Sequence, residues 1–183
     1  MNEIVEKNKA VDKPVFWEER IAQALASGDI RHSVYRAPED MWQEMRGNHQ
    51  KILTSLINPE DNVLDAGCGY GRLRNMLSSN VYYGGSYHGV DISADFIILA
   101  QELFPDSKFS VGNLINLAEF ENNTFDWAIC CSVMIMTVQN LGWSHWEKIQ
   151  NELLRVAKKI LVLEYGKGDT DTESSTYYII NGK

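Results

Sequence analysis

The chain has 183 residues, of which 44% are apolar and 23% charged, and its formal net charge is −8. This is enough chain for one domain with a buried core, and an ordinary composition for a soluble globular protein. The acidic balance argues against broad electrostatic binding to DNA or RNA, where Lys and Arg must neutralise phosphates. No apolar run approaches the ~20 residues of a membrane helix, so no membrane partner is expected. Met1 to Lys13 is polar, has no apolar signal core, and reads as a solvated arm. The three cysteines, Cys68, Cys130 and Cys131, form no C-x-x-C and no even framework. They imply neither disulfides nor a metal site, and they suit a reducing cytoplasm.

Pro14 to Ser27 carries apolar residues at helical spacing and ends at Gly28-Asp29. A connector, Ile30 to Ala37, contains Tyr35. Pro38 opens a second helix through Trp42, Met45, His49, Leu53 and Ile57, and Asn58-Pro59 stops it. From there strands and helices alternate. Strand one is about Asn62 to Asp65, followed by a helix over about Tyr70 to Ser79. A loop with Tyr82 and Tyr83 leads to strand two, Tyr87 to Asp91. Ser93 caps the next helix, which ends near Phe104. Strand three is Lys108 to Val111, and strand four is Phe125 to Cys131, an apolar run suited to the middle of a parallel sheet. A loop from Ser132 to Trp143, a helix over Ser144 to Lys158 and a fifth strand, Ile160 to Tyr165, complete the alternation. The paired cations Arg72/Arg74 and Lys158/Lys159 read as solvated helix faces.

This order predicts an α/β fold with a doubly wound, mainly parallel sheet. Right-handed crossovers would bring the carboxyl ends of the first four strands to one edge, where such sheets bind ligands. The residues delivered there are Asp65 to Gly71, Asp91-Ile92, Gly112 to Leu114, and Cys130 to Val133.

The most informative stretch is Val63-Leu64-Asp65-Ala66-Gly67-Cys68-Gly69-Tyr70-Gly71. A strand ends in an acid and breaks into glycines at alternate positions. A helix follows, and the next strand closes on a second acid, Asp91. That is the pattern of a nucleoside-binding half-sheet. Dinucleotide sites usually read G-x-G-x-x-G, with a pyrophosphate on the helix N-terminus. Here a carboxylate stands at the mouth of the loop, where it repels a pyrophosphate and welcomes an ammonium group. The ligand so described has adenosine at one end and an amino acid at the other.

These residues resemble the first motif of the class I, Rossmann-like S-adenosylmethionine-dependent methyltransferases. The likeness extends from Asn62 to about Tyr165 and includes Phe125-Asp126-Trp127-Ala128-Ile129 and the helix and strand after it. It implies the cofactor S-adenosylmethionine, with S-adenosylhomocysteine as product. It implies a cofactor site made by Asp65, Gly67, Cys68, Gly69, Gly71, Asp91, Ile92, Asn113, Leu114 and Cys131. Within it Asp65 would serve the methionine ammonium, directly or through water, and Asp91 the ribose. Asn113 stands where the family usually places an acid on the adenine amino group, and its amide oxygen can accept the same bond. Two departures are evident. After strand five the family usually adds an antiparallel hairpin, yet here only Thr176 to Ile180 could supply a strand. Either the C-terminal sheet edge is shortened or the natural chain continues past Lys183. The Asn/Asp-Pro-Pro-Tyr/Phe element of amino-methylating DNA enzymes is replaced by Cys131-Ser132-Val133-Met134, which disfavours nucleic acid again.

The expected organisation is an arm and helical lid over residues 1–58 and a cofactor-binding core over 59–183, together one compact domain. Methyl transfer is an in-line displacement in which a protein mainly aligns reactants and excludes water, so a base is optional. His49, His145 and Tyr35 are the candidates for direct chemistry; a cysteine nucleophile is disfavoured, as no His–Cys pairing is visible. Trp17, Trp42 and Met45 read as packing residues before they read as an aromatic box. The leading reading is transfer to a small molecule or a protein side chain. Cleavage of the cofactor by lyase or hydrolase chemistry, and a non-catalytic nucleoside-binding member, stay open. A shortened sheet edge would be covered either by a second copy of the chain or by Thr176 to Ile180.

Overall fold

Strand β1, Val63–Ala66, is buried along its whole length because it lies at the centre of a six-stranded sheet. The computed structural model describes residues 13–34, 38–78, 84–167 and 173–182. The sheet order is β3-β2-β1-β4-β5-β6, with β2 at Tyr87–Asp91, β3 at Lys108–Val111, β4 at Phe125–Cys131, β5 at Ala157–Lys167 and β6 at Glu173–Asn181. The first five strands are parallel, and β6 alone is antiparallel. Leu64 pairs with His88 on one side and Ala128 on the other, so the strand order reverses between β1 and β4. That is the switch point at which an open α/β sheet leaves a crevice.

Alternate residues of the central strands feed two apolar layers, as the two-residue period of a strand requires. Val63, Ile129, Leu161 and Leu163 pack beneath α2 (Glu39–Leu56), α3 (Arg72–Ser78) and α4 (Ala94–Leu103). Leu64, Ala128, Cys130, Ile160 and Val162 pack on the opposite face beneath α6 (Trp143–Val156). In α6 the buried residues Trp146, Ile149, Leu153 and Val156 recur at helical spacing, which fixes its inward face. Ser93 caps α4 by accepting from the Phe96 N–H. Helix α1, Pro14–Ser27, ends at Gly28 with φ 77°, and a short 3₁₀ turn, Ile30–Ser33, follows.

The doubly wound, mainly parallel sheet is as the sequence predicts. Strands β2, β3 and β4 have the expected bounds. Two local differences have physical causes. The expected loop Ser132 to Trp143 contains a helix, α5, Val133–Leu141. Its run of apolar residues meets both the core and a cavity, so it lacks the polar face that marks a helix in sequence. Strand β5 begins at Ala157, because Phe125 and Trp127 of β4 pair with Ala157 and Lys159. Lys158 and Lys159 therefore lie on a strand and not on a helix face; Lys158 bridges Asp126 at 2.7 Å, and Lys159 lies over the Trp127 ring. The edge of β5 is covered by β6, from Lys159↔Asn181 to Lys167↔Glu173, the second of the two alternatives for that edge. The arm up to residue 12, Tyr35 with its neighbours 36–37, and the loop tyrosines 82–83 lie outside the described residues.

Candidate active site

The chain leaves β1 through a loop that only glycine accommodates. Gly67 and Gly69 have φ of 77° and 53°, in the left-handed region. A Cβ at Gly67 would meet Val133 Cγ2 at 2.6 Å, and one at Gly69 would meet Val34 Cγ1 at 3.3 Å. Beside the loop, Asp91 ends β2. Its carboxylate accepts from the Gly69 N–H at 2.9 Å and from the Ser93 N–H at 3.0 Å. These bonds tie the loop to the end of β2. Burial raises the Asp91 pKa above the usual carboxylate value, against the N–H groups of Ser93, Gly69 and Ile92, which lower it.

Gly67, Gly69, Asp91, Ile92, Asn113, Leu114 and Cys131 all line one cavity of about 160 Å³ at the carboxyl edge of the sheet. Four separate strand ends thus meet there. Asn113 Oδ1 already accepts from the Ile115 N–H at 3.2 Å, leaving a second lone pair. Ser132, between β4 and α5, is a non-glycine residue with φ 61°, a costly conformation placed on the cavity wall. Trp17 of α1 and Val34 close the cavity from the N-terminal side, with Trp17 and Phe96 ring centroids 6.3 Å apart.

Residues 63–159 match the methyltransferase domain family. The chain is a class I, Rossmann-like methyltransferase domain. Its sheet is similar to that of a TehB-like SAM-dependent methyltransferase from Corynebacterium glutamicum, at 19% identity over 85% of this chain and 74% of that one, TM-score 0.54. It is equally similar to the YcgJ protein of Bacillus subtilis, at 23% identity over 67% of this chain and 51% of that one, TM-score 0.54. The [4+2]-cyclase SpnF matches at 18% identity over 67% of this chain and 46% of its own, TM-score 0.54. The domain spans about half the length of the last two proteins, and these likenesses show its fold.

In this methyltransferase domain the remaining residues of the first motif lie off the cavity wall. Asp65 is buried beneath the loop and accepts from the Tyr87 hydroxyl at 2.6 Å. Burial pushes its carboxyl up to about 7, while the Tyr87 bond and Arg72 pull it down and Asp91 adds to the rise. Cys68 is buried with its thiol toward the Gly69 carbonyl, and burial raises its pKa well above that of a free thiol. A Cβ at Gly71 would meet Phe104 at 3.0 Å and Phe109 at 3.2 Å, so that glycine serves helix–sheet packing. Trp42 and Met45 pack with Tyr165, whereas Trp17 reaches the cavity.

Three expectations are corrected here. His49 is fully buried and is absent from the cavity wall. Its Nδ1 accepts from Arg72 at 3.3 Å, and burial and the Arg72 charge lower its pKa to about 3, so it is neutral and its lone pair is engaged. It is no base for the crevice. His145, by contrast, lines the cavity. The pairing of histidine and cysteine that the sequence hides does exist, with Cys131 Sγ 3.9 Å from His49 Nδ1 and 2.8 Å from Arg72 Nη2. Burial nonetheless raises the Cys131 thiol, and Arg72 only partly offsets this. Arg72 is therefore a half-buried anchor rather than part of a solvated face, and Arg74 donates to Ser107 Oγ at 2.6 Å.

Sequence reasoning missed Glu164. It ends the apolar run of β5, and a lone acid in such a run was the available signal. Its Oε1 accepts from the Ile135 N–H at 3.1 Å in the first turn of α5, and its Oε2 is buried with no partner among the described residues. Burial pushes its carboxyl up to about 7, against the pull of Ile135.

These raised carboxyls have a measurable consequence. Asp65 binds its proton more tightly in the fold than in the unfolded chain, so its contribution to stability is lost as pH rises from the ordinary carboxylate range through about 7. His49 acts oppositely, because its depressed pKa destabilises the fold as pH falls below about 6.5. The comparison that isolates Asp65 is with Asp65→Asn. Relative to the wild type, that variant should gain roughly 2.5 kcal/mol of stability between pH 5 and pH 8. Parallel urea titrations measure this, and a constant difference across that range would show that Asp65 is ionised throughout.

Proposed function

We propose that this domain transfers the methyl group of S-adenosylmethionine to a small molecule or a protein side chain. The observation that carries the reading is the shared wall of the crevice, where Asp91, the Gly67–Gly69 backbone and Asn113 face one space at the switch point. The space over Gly67 and Gly69 is where a Cβ would stand, and the side chains of Val133 and Val34 now rest against it. The cavity of about 160 Å³ is smaller than the ~300 Å³ from which ligand pockets usually begin, and both valines line it. Their turning aside would open the loop.

When bound, S-adenosylmethionine supplies a methyl group already activated by a sulfonium charge. The protein's part is then alignment and exclusion of water. Asp91 would accept from the ribose hydroxyls, since each of its oxygens retains a lone pair beyond its bond to Gly69 or Ser93. Asn113 would accept from the adenine amino group. Ile92, Leu114 and Cys131 would flank the bound nucleoside. Asp65, beneath the loop, would reach the ammonium group through water. Trp17 and Val34 would close the site, and His145 is the crevice residue able to take a proton from an acceptor.

The [4+2]-cyclase shows that proteins of this fold run other reactions, so the reaction needs its own test. The purified protein should leave S-adenosylmethionine intact over hours when incubated with it alone. It should produce S-adenosylhomocysteine when an extract containing acceptors is added. Breakdown without an acceptor would instead indicate a lyase or hydrolase.

A further inference from the structure

The sheet has two outer strands, and they are protected unequally. β3 has four residues, opens on Lys108, and gives its Phe109 carbonyl to Gln101 of α4 at 3.4 Å. A short, charged, covered edge is how a sheet avoids pairing with a neighbour. β6 has nine residues and lacks these devices. It pairs with β5, and no other described strand meets its outer edge. No proline, lysine or arginine stands within Glu173–Asn181. Tyr177, Tyr178 and Ile179 are 49%, 54% and 39% exposed. Tyr177 and Ile179 share a face with Leu163 and Leu161, and Tyr178 shares the other with Val162, so both faces of this edge present apolar surface.

The ladder shows which backbone groups point outward. The Gly182 N–H donates to the Lys158 carbonyl at 3.1 Å, so the even-numbered residues of β6 bond to β5. The N–H and C=O groups of Tyr177, Ile179 and Asn181 therefore point away from β5. The sequence of this edge is complementary to its own reverse. Residues 173–183 carry an acid at one end, Glu173, a base at the other, Lys183, and no charge between. Two antiparallel copies bring opposite charges together at both ends, whereas parallel copies bring like charges together. The register centred on Tyr178 sets Tyr177 opposite Ile179, and these exchange the outward hydrogen bonds. It sets Tyr178 opposite its own copy in the closer, non-hydrogen-bonded type of pair, where aromatic rings meet. A twofold axis at that point keeps each residue on the same face in both copies.

We infer that β6 is a dimer interface, pairing antiparallel with β6 of a second copy of this chain to make one continuous sheet. The pairing does not rest on the methyl-transfer reading. β6 lies two places from β4 in the sheet, so the crevice between β1 and β4 stays open in each copy. An interface built on one strand pair is small, so monomer and dimer should exchange in the micromolar range.

Sedimentation velocity of the full chain across that range should show monomer passing to dimer and stopping there, because a twofold interface closes on itself. Ile179→Pro removes an outward N–H and spares the bonds to β5, a position where an edge strand tolerates proline. It should weaken association by about tenfold or more while keeping the wild-type circular dichroism spectrum. Tyr177→Lys, which charges the edge and leaves its backbone intact, should do the same. Tyr178→Cys tests the register. Under oxidised glutathione it should form a disulfide-linked dimer, since Cα atoms of such a pair lie about 4.5 Å apart, within disulfide reach. Thr176→Cys, which this register sets opposite Ile180, should not cross-link, and neither should wild type. Wild type that stays monomeric, or a dimer that survives both Ile179→Pro and Tyr177→Lys, would overturn the interface. So would a chain that dimerises only after residues 1–12 are removed, since its own arm would then hold the edge. Cross-linking through Thr176→Cys in place of Tyr178→Cys would overturn the register.

Discussion

Replacing Asp91 by Ala should weaken the binding of S-adenosylhomocysteine by about 10- to 150-fold. The loss is that of a charge-assisted hydrogen bond, ~1.5–3 kcal/mol, at about 1.4 kcal/mol per tenfold. Alanine also releases the Gly69 and Ser93 N–H groups, so the glycine loop loses its tie to β2 as well. Asp91→Asn should fall between the two, since it keeps an acceptor oxygen but not the charge. The unliganded fold should suffer less than binding does. Burial already raises the pKa of Asp91, so its charge is a burden on the fold rather than a support. Calorimetric titration beside a thermal melt separates the effects. Unchanged affinity with a lowered melting temperature would mean that Asp91 only holds the loop.

Deleting residues 1–37 should reduce methyl transfer by at least about 100-fold while weakening S-adenosylhomocysteine binding less than tenfold. The deleted piece carries Trp17 and Val34, which wall the crevice, but not Asp91, Asn113 or the glycine loop. Misplacement of reacting groups by about 1 Å can cost on the order of 100-fold in rate, and a closing segment is what excludes water from them. Trp17→Ala should show the same division in milder form. Because Val34 rests against Gly69, ligand must displace it, and hydrogen exchange over residues 30–34 should change when S-adenosylhomocysteine is added. Full activity in the truncated protein, with exchange indifferent to ligand, would place the acceptor elsewhere, most simply over α5.

The parallel sheet was legible because its strands are short apolar runs closed by Asp91, by Gly112 after Val111, and by the Asp65-to-Gly71 loop. Buried on both faces, β1, β2 and β4 leave little freedom in register. Helix α5 was not legible, since its residues Val133, Met136, Thr137 and Leu141 face a cavity and the core rather than water. The convergence of Asp91, Asn113 and Cys131 follows from the crossover rule and could be anticipated. The meeting of Arg72 with His49 and Cys131 could not, because three elements distant in the chain supply it and no local pattern marks it. Asp65 illustrates the limit in another way. Its position after β1 was clear from sequence, but whether its carboxylate faces the crevice or Tyr87 depends on the strand's alternation at one residue.

The most direct test of the central claim is a calorimetric titration of S-adenosylhomocysteine into the wild-type protein at pH 7.5, repeated in the presence of S-adenosylmethionine and of NAD. The crevice geometry predicts saturable binding of one molecule per chain, displaced by S-adenosylmethionine and untouched by NAD. Absence of binding heat, or displacement by NAD alone, would contradict it.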